Sequence, residues 1–264
     1  MIVLENCSKM FHRGSINEVV ALNTLNLRIG DGDFVTVIGS NGAGKSTLLN
    51  LIAGTFFTDD GKITIGDRDV TAWPEYKRAK LISRVFQDPL LGTCPSATIE
   101  QNLALAKKRG QRRGLSKGVK ARDREGFRQR LSMLGLGLEG RLQDRVGLLS
   151  GGQRQALTML MATMVKPEVL LLDEHIAALD PKTAHQILTL TREIVEGQKL
   201  TTLMITHNMK HAIDFGNRLI MLHQGRIISD IAGGEKENLT VDDLLQKFYA
   251  CSDEELVTDA MLLA

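Results

Sequence analysis

The chain has 264 residues, a formal net charge of +2, 43% hydrophobic and 24% charged residues, and only 4% aromatics. That length holds one large α/β domain or two small ones, and the mix is ordinary for a globular protein. Near-balanced charge and scarce aromatics exclude a surface built on phosphate neutralisation or base stacking, so no nucleic acid is expected as a partner.

The first 70 residues read as short strands. In residues 21–29, Leu22, Leu25, Leu27 and Ile29 mark an apolar face with one break in phase. Residues 34–38 are continuously apolar or β-branched, the pattern of a buried strand. A glycine-rich turn follows, and residues 46–53 read as a helix. Residues 61–66 form another strand bounded by glycines. From about residue 99 to 166 the pattern turns helical, which marks an inserted subdomain. Within it, residues 107–130 are rich in Lys, Arg and Gly. The plain reading is a solvated face; the functional one is contact with lipid headgroups or an acidic partner surface. Strand signals return at 169–172, 202–205 and 218–222 with helical stretches between, which implies a parallel sheet with helices on its faces. Residues 223–226 have the look of a hairpin turn. The residues after about 233 are too few for a second core, so packed helices or partly disordered ends are expected there.

Cys7, Cys94 and Cys251 are far apart and show no C-x-x-C spacing, so three reduced cytosolic thiols are expected. No signal peptide is read at the N-terminus, and no apolar run nears the roughly 18 residues of a membrane span. Service to a membrane would therefore run through a partner.

Gly39, Ser40, Asn41, Gly42, Ala43, Gly44, Lys45 and Ser46 fit G-x-x-x-x-G-K-[ST] between an expected strand and an expected helix, with Thr47 following. Glycines let several N–H groups point at one anion, and the helix N-terminus adds partial positive charge. Lys45 supplies a full charge to the β- and γ-phosphates, and the Ser46 hydroxyl is placed to ligate Mg²⁺. The loop alone says only that a nucleoside triphosphate binds. The absence of N-K-x-D from the sequence disfavours a GTPase. Residues 169–172 form an apolar strand ending in Asp173 and Glu174. A strand-terminal Asp aims at the loop's metal through water, and the following Glu can orient or deprotonate the attacking water.

Leu149, Ser150, Gly151, Gly152 and Gln153 spell Leu-Ser-Gly-Gly-Gln ahead of a helix expected from about Arg154. This pentapeptide is the ABC signature, and through it the chain resembles the ABC ATPase family over roughly residues 1 to 232. A Ser and two glycines at a helix N-terminus make a second anion site. The resemblance implies that Ser150, Gly151, Gly152, Gln153 and Asp180 are used in trans, on ATP held by another subunit. It also implies a Q-loop role for Gln87 at the metal and γ-phosphate, a D-loop at 178–180, a γ-phosphate contact for His207, and adenine stacking for Phe11. Glu174, His207 and Gln87 are the expected catalytic residues. Ser46, Gln87 and, through water, Asp173 are the expected Mg²⁺ residues, and ATP is the nucleotide.

The fold implied is α/β: a P-loop NTPase core with a mainly parallel sheet flanked by helices, an N-terminal antiparallel β subdomain and an inserted α-helical subdomain. One nucleotide-binding domain would span 1–264, with the core at about 1–86 and 166–232, the helical subdomain at about 87–165 and a short tail at about 233–264. The implied function is the ATP-hydrolysing subunit of an ABC transporter, working as a homodimer or paired with a second ABC ATPase. It would sit on the cytoplasmic face of the membrane against integral permease subunits, with residues 88–97 receiving a coupling helix. Import with a separate substrate-binding protein is the leading direction. The alternatives are an ABC ATPase of a soluble machine such as iron–sulfur cluster assembly, and a module that holds ATP without turnover. One departure stands out. After Asp173 and Glu174 the family usually has Pro-Thr, and here His175 and Ile176 follow. Both carboxylates survive, so activity is expected. The Asp-Glu-His variant resembles a bacterial branch of uptake systems, some proposed for amino acids.

Overall fold

Residues 1–111 and 118–250 are described by the structure, a computed structural model. The chain divides into two units, one formed by Met1–Arg78 and the chain from Lys199 on, the other by Ala79–Gln198.

The first unit carries two sheets. Strands β1 (Ile2–Phe11), β2 (Val19–Ile29), β4 (Asp60–Ile65) and β5 (Arg68–Asp69) form an antiparallel sheet in the order β2-β1-β4-β5. The break in phase read in residues 21–29 is real. The β1–β2 register slips between Leu4 and Met10, and Thr24 takes a positive φ of 48°. Such bulges re-phase a strand so that Leu22 and Leu25 can both face the core. The second sheet places β3 (Phe34–Gly39) between β8 (Thr202–Ile205) and β9 (Arg218–His223), parallel to both. β10 (Arg226–Ala232) returns antiparallel to β9 through Gln224 and Gly225, both at positive φ. Two such residues make the tight hairpin turn expected at 223–226.

Helices α1 (Lys45–Ala53), α2 (Glu75–Arg78) and α7 (Met209–Asp214) connect these strands. Past residue 233 the chain forms α8 (Gly234–Glu237) and α9 (Val241–Ala250). Leu244 and Phe248 of α9 pack with Ile38, Met209 and Leu219 in one apolar cluster, so the tail is helix docked on the domain as far as it is described. Residues 251–264, part of that expected tail, lie outside the described residues.

Lys236 fixes this docking. Its side chain is buried, and its ammonium donates to the carbonyls of Ile213, Phe215 and Gly216 at 2.7, 2.7 and 2.9 Å. These carbonyls lie at the end of α7, where acceptors lack helical partners. Burial pulls the pKa down to about 8, which still leaves the group mostly charged at neutral pH. Lys236→Met is expected to cost about 2–4 kcal/mol, because buried acceptors lose a charged donor. Denaturant melts check this, and a loss below about 1 kcal/mol would show the carbonyls to be solvated in practice.

The second unit pairs β6 (Ile82–Val85) with β7 (Val169–Asp173) in parallel. It adds α3 (Ile99–Lys107), α4 (Ala121–Ser132), α5 (Gly151–Thr163) and α6 (Pro181–Gln198). Ile99, Leu103, Phe127, Leu131, Leu138 and Leu157 centre its core. The unit begins at residue 79 and ends at 198, so β6, β7 and α6 cluster with the helices expected at about 87–165. The basic stretch 107–130 is partly spent inside this unit. Lys107 pairs with Asp123 at 2.8 Å, Arg124 pairs with Glu100 at 2.8 Å, and Arg109 donates to the carbonyls of Ala162 and Val165. Its residues 112–117 lie outside the described residues. Cys7 is a buried free thiol, raised in pKa by burial, and Cys94 is an exposed one. Among the described residues no helix is long and apolar enough to cross a membrane.

Candidate active site

Gln87, Asp173, Glu174 and His207 lie at or just past the C-terminal end of a parallel strand, the place where open α/β sheets bind ligands, and Lys45, Ser46 and Thr47 open the helix that follows β3. In the first unit Val37 of β3 stands opposite Ile205 of β8. Two residues further on, Gly39 opens the glycine loop and His207 leaves β8. His207 is half-buried there, at the level of the loop's first residue. In the second unit Val85 stands opposite Leu172, so Gln87 and Glu174, two residues past each, are also level. Gln87 Nε2 donates to Glu174 Oε2 at 3.2 Å. Asp173 accepts from Arg84 Nη2 at 2.5 Å, and the Arg84 guanidinium lies 4.7 Å from the Phe86 ring centroid. Sequence reasoning missed Arg84, whose meeting with Asp173 becomes visible only once β6 lies beside β7.

The loop has the backbone its motif demands. Gly39, Gly42 and Gly44 take φ of 156°, 78° and 100°. A Cβ at Gly39 would come 2.3 Å from the Leu222 carbonyl oxygen on β9, and one at Gly44 would come 2.4 Å from that of Ala21. No side chain fits at either place, so the backbone can close into a cup. Gly44 is the N-cap of α1 and has no side chain to occupy the first-turn N–H groups. Those N–H groups, with the helix dipole, suit an anion. Lys45 is buried and its ammonium donates to the Gly39 and Ser40 carbonyls at 2.7 and 2.8 Å, which holds the charge inside the cup. Ser40 and Ala43 are buried in the loop, whereas Asn41, Gly42 and Ser46 are exposed and Thr47 is half-buried.

The signature helix is built differently. Ser150 Oγ accepts from the Gln153 N–H at 3.2 Å, and Gln153 Oε1 accepts from the Ser150 N–H at 3.2 Å. This reciprocal cap starts α5 at Gly151, three residues before the expected position. With its oxygen accepting, the Ser150 hydroxyl still has its proton to donate. Gly152 is required by packing, because a Cβ there would sit 2.1 Å from Thr183 Cγ2 on α6. Ser150, Gly152 and Gln153 open onto a cavity of about 460 Å³ within the second unit, walled also by Leu136, Thr183 and Glu193. Asp180 caps α6 by accepting from the Thr183 N–H at 3.1 Å, and the Thr183 hydroxyl, with this N–H, lowers its pKa. Phe11 meets Phe56 edge to face at 5.3 Å between centroids, with Lys9 Nζ 5.7 Å from its ring. Phe56 was not read from sequence.

The donor chemistry fits magnesium. Among the described residues there is no cluster of three or more His, Cys, Asp or Glu that could hold a metal unaided. Ser46, Gln87 and Asp173 offer hard oxygen donors, the type Mg²⁺ takes alongside phosphate and water.

Comparison with known proteins identifies the family. The sequence profile of the ABC transporter family matches residues 22–177. The chain is 47% identical over 248 residues to the tyrosine transport ATP-binding protein of Clostridioides difficile (strain R20291), covering 94% of this chain and 98% of that one. It is 36% identical over 239 residues to the methionine import ATP-binding protein MetN 2 of Oceanobacillus iheyensis, covering 87% of this chain and 65% of the relative. Among solved structures, the dimeric post-hydrolysis state of the ATP-binding cassette MJ0796, bound to ADP and Pi, superposes with a TM-score of 0.74 at 29% identity. That alignment covers 88% of this chain and 98% of the cassette. The relatives are transport subunits, so the iron–sulfur-assembly alternative falls. With the profile covering more than half of its length, the chain belongs to the ABC transporter family, in which it is an ATP-binding and ATP-hydrolysing subunit.

Proposed function

We propose that this chain powers uptake of an amino acid, with tyrosine or a close aromatic analogue as the first candidate. The observation that carries this is the 47% identity, nearly end to end on both chains, to the tyrosine transport ATP-binding protein. The chain works as a homodimer on the cytoplasmic face of the membrane, against permease subunits fed by a separate substrate-binding protein. The exposed Leu90 and Leu91 support a docking place for the permease at residues 88–97. That stretch is pinned to α3, since Asn102 exchanges hydrogen bonds of 2.8 and 3.1 Å with the Cys94 backbone. A push on the loop would therefore reach the helical unit.

In this reading Lys45 and the α1 N-terminus bind the β- and γ-phosphates. Ser46 and Gln87, with Asp173 through water, would hold Mg²⁺, which would supply charge neutralisation at the terminal phosphate. Glu174 orients and deprotonates the water, His207 contacts the γ-phosphate, and Phe11 stacks on adenine. Ser150, Gly151, Gly152, Gln153 and Asp180 act on the partner's ATP. ATP then favours the closed dimer because its terminal phosphate interacts with both subunits, and hydrolysis reverses the bias.

Deleting the chain from its source cell and measuring labelled tyrosine uptake tests the transport reading. Loss of uptake, restored by the wild-type chain but not by Lys45→Ala, is the expected result. Undiminished uptake would remove tyrosine as the substrate. At the protein level, Lys45→Ala is expected to weaken ATP binding at least about tenfold by removing a charge-assisted phosphate contact. Nucleotide titration checks this, and unchanged affinity would take Lys45 out of the site.

A further inference from the structure

Glu174 stands in the left-handed backbone region at φ 44°. A non-glycine residue keeps that conformation only where its surroundings impose it. The surroundings begin at the next residue. His175 is 2% exposed, and its Nε2 lies 3.1 Å from Thr191 Oγ1 on α6. The Thr191 hydroxyl in turn donates to the Ile187 carbonyl at 2.8 Å. A hydroxyl has one proton. With that proton given to Ile187, the Thr191 oxygen can only accept, so His175 Nε2 must carry the donor hydrogen. A directional chain results, running from the imidazole N–H to the Thr191 hydroxyl and on to the Ile187 carbonyl.

The same segment is tied to α6 a second time. The Glu174 carbonyl accepts from the Ala177 N–H at 3.0 Å, which closes the turn after β7. The turn then runs into Asp180, the N-cap of α6. Residues 174–180 are thus fastened to one helix at two points, about three turns apart. The register of β6 and β7 fixes where the strand ends. It does not fix the direction of the Glu174 side chain one residue past that end. The anchored imidazole does, by preventing the peptide between Glu174 and His175 from relaxing out of the left-handed region.

We propose that His175 is a positioning residue for Glu174, held by Thr191, and that this pair sets the aim of the water-activating carboxylate. The proposal rests on the reading of Glu174 given above. It accounts for a histidine beside the catalytic acid without giving it any proton to transfer to substrate.

Phosphate release by the full-length chain, at varied ATP with saturating Mg²⁺, tests it. His175→Phe keeps a ring and removes the donor, and Thr191→Val keeps shape and removes the acceptor. Each is expected to lower kcat about tenfold with the KM for ATP changed less than about twofold, the split expected for a misaimed transition-state group. The double variant should fall no further than either single one, since both break one contact. His175→Gln, which places an N–H the same number of bonds from the backbone, and Thr191→Ser should each recover activity to within about threefold of wild type. Wild-type kcat in His175→Phe and Thr191→Val, losses that multiply in the double variant, or failure of both rescues would overturn the proposal. Should His175→Phe fail to fold, the Thr191→Val and Thr191→Ser pair decides the question alone. Glu174→Gln separates the two readings. Turnover in that variant would remove Glu174 as base. Its inactivity beside fully active His175→Phe and Thr191→Val would remove only the positioning role.

Discussion

Glu174→Gln is expected to bind ATP as the wild type does and to hydrolyse it at least about a hundredfold more slowly. The change is one atom in size. An amide oxygen can still accept the 3.2 Å bond from Gln87 Nε2, and the anchors at His175 and Asp180 stay as they are. What disappears is a group able to take a proton from water. Binding and chemistry should therefore separate. If ATP holds two subunits together until it is cleaved, the variant should also accumulate as an ATP-dependent dimer, as the dimeric cassettes similar to this chain would suggest. Gel filtration with and without ATP reads the dimer, and phosphate release reads turnover. Near-normal release would assign water activation to another group. Slow release without any dimer would leave the base in place and break the link between the terminal phosphate and subunit closure.

How far the sequence reveals such a site depends on whether a residue's role is local. The glycine loop is legible because the close approach of Gly39 to β9 and of Gly44 to the Ala21 carbonyl leaves no other residue type at either place. The strands are legible because burial on both faces makes them continuously apolar, and residues 169–172 fall within β7 as read. Gln87 and His207 become legible through resemblance, and the parallel register explains their placement. The cap at Ser150 is legible in the sequence, whereas the helix expected from about Arg154 starts three residues earlier, at Gly151. Other features have no pattern to read. Arg84 meets Asp173 across 89 positions, and His175 meets Thr191 across 16. Lys236 serves main-chain carbonyls, which every residue has, so nothing in the sequence marks its partners. Residues 82–85 give no strand signal of their own either, although they form β6 and pair with β7.

Arg78 is the extreme case, and its replacement carries the largest expected loss of stability. Its side chain is fully buried. Nη1 donates to the Leu51 and Ile52 carbonyls at 2.6 and 2.9 Å, Nε to the Trp73 carbonyl at 2.8 Å, and Nη2 to the Thr71 carbonyl at 3.2 Å. Leu51 and Ile52 belong to the last turn of α1, at the negative end of the dipole, where carbonyls run short of donors; that of Leu51 has besides Arg78 only a long 3.3 Å bond from the Gly54 N–H. Burial lowers the guanidinium pKa to about 10, so the charge persists at neutral pH. Arg78→Met keeps much of the stem and removes every donor. It should cost about 3–5 kcal/mol, the scale for orphaning acceptors around a buried charge. Arg78→Lys keeps the charge but not the planar fork, and should cost roughly half as much. Gly54, the left-handed C-cap at φ 83°, packs under the guanidinium, and a Cβ there would come 2.7 Å from Arg78 Nε. Gly54→Ala should therefore destabilise the same helix end. Denaturant midpoints measure the totals, and amide exchange along residues 48–54 locates them. A loss below about 1 kcal/mol in Arg78→Met would show that water replaces the guanidinium at no great cost. The functional consequence follows from length. A helix of nine residues is too short to persist on its own, so its phosphate-binding start depends on its far end. Arg78→Met should weaken ATP binding even though Arg78 lies at the end of α1 opposite the one that meets the phosphates.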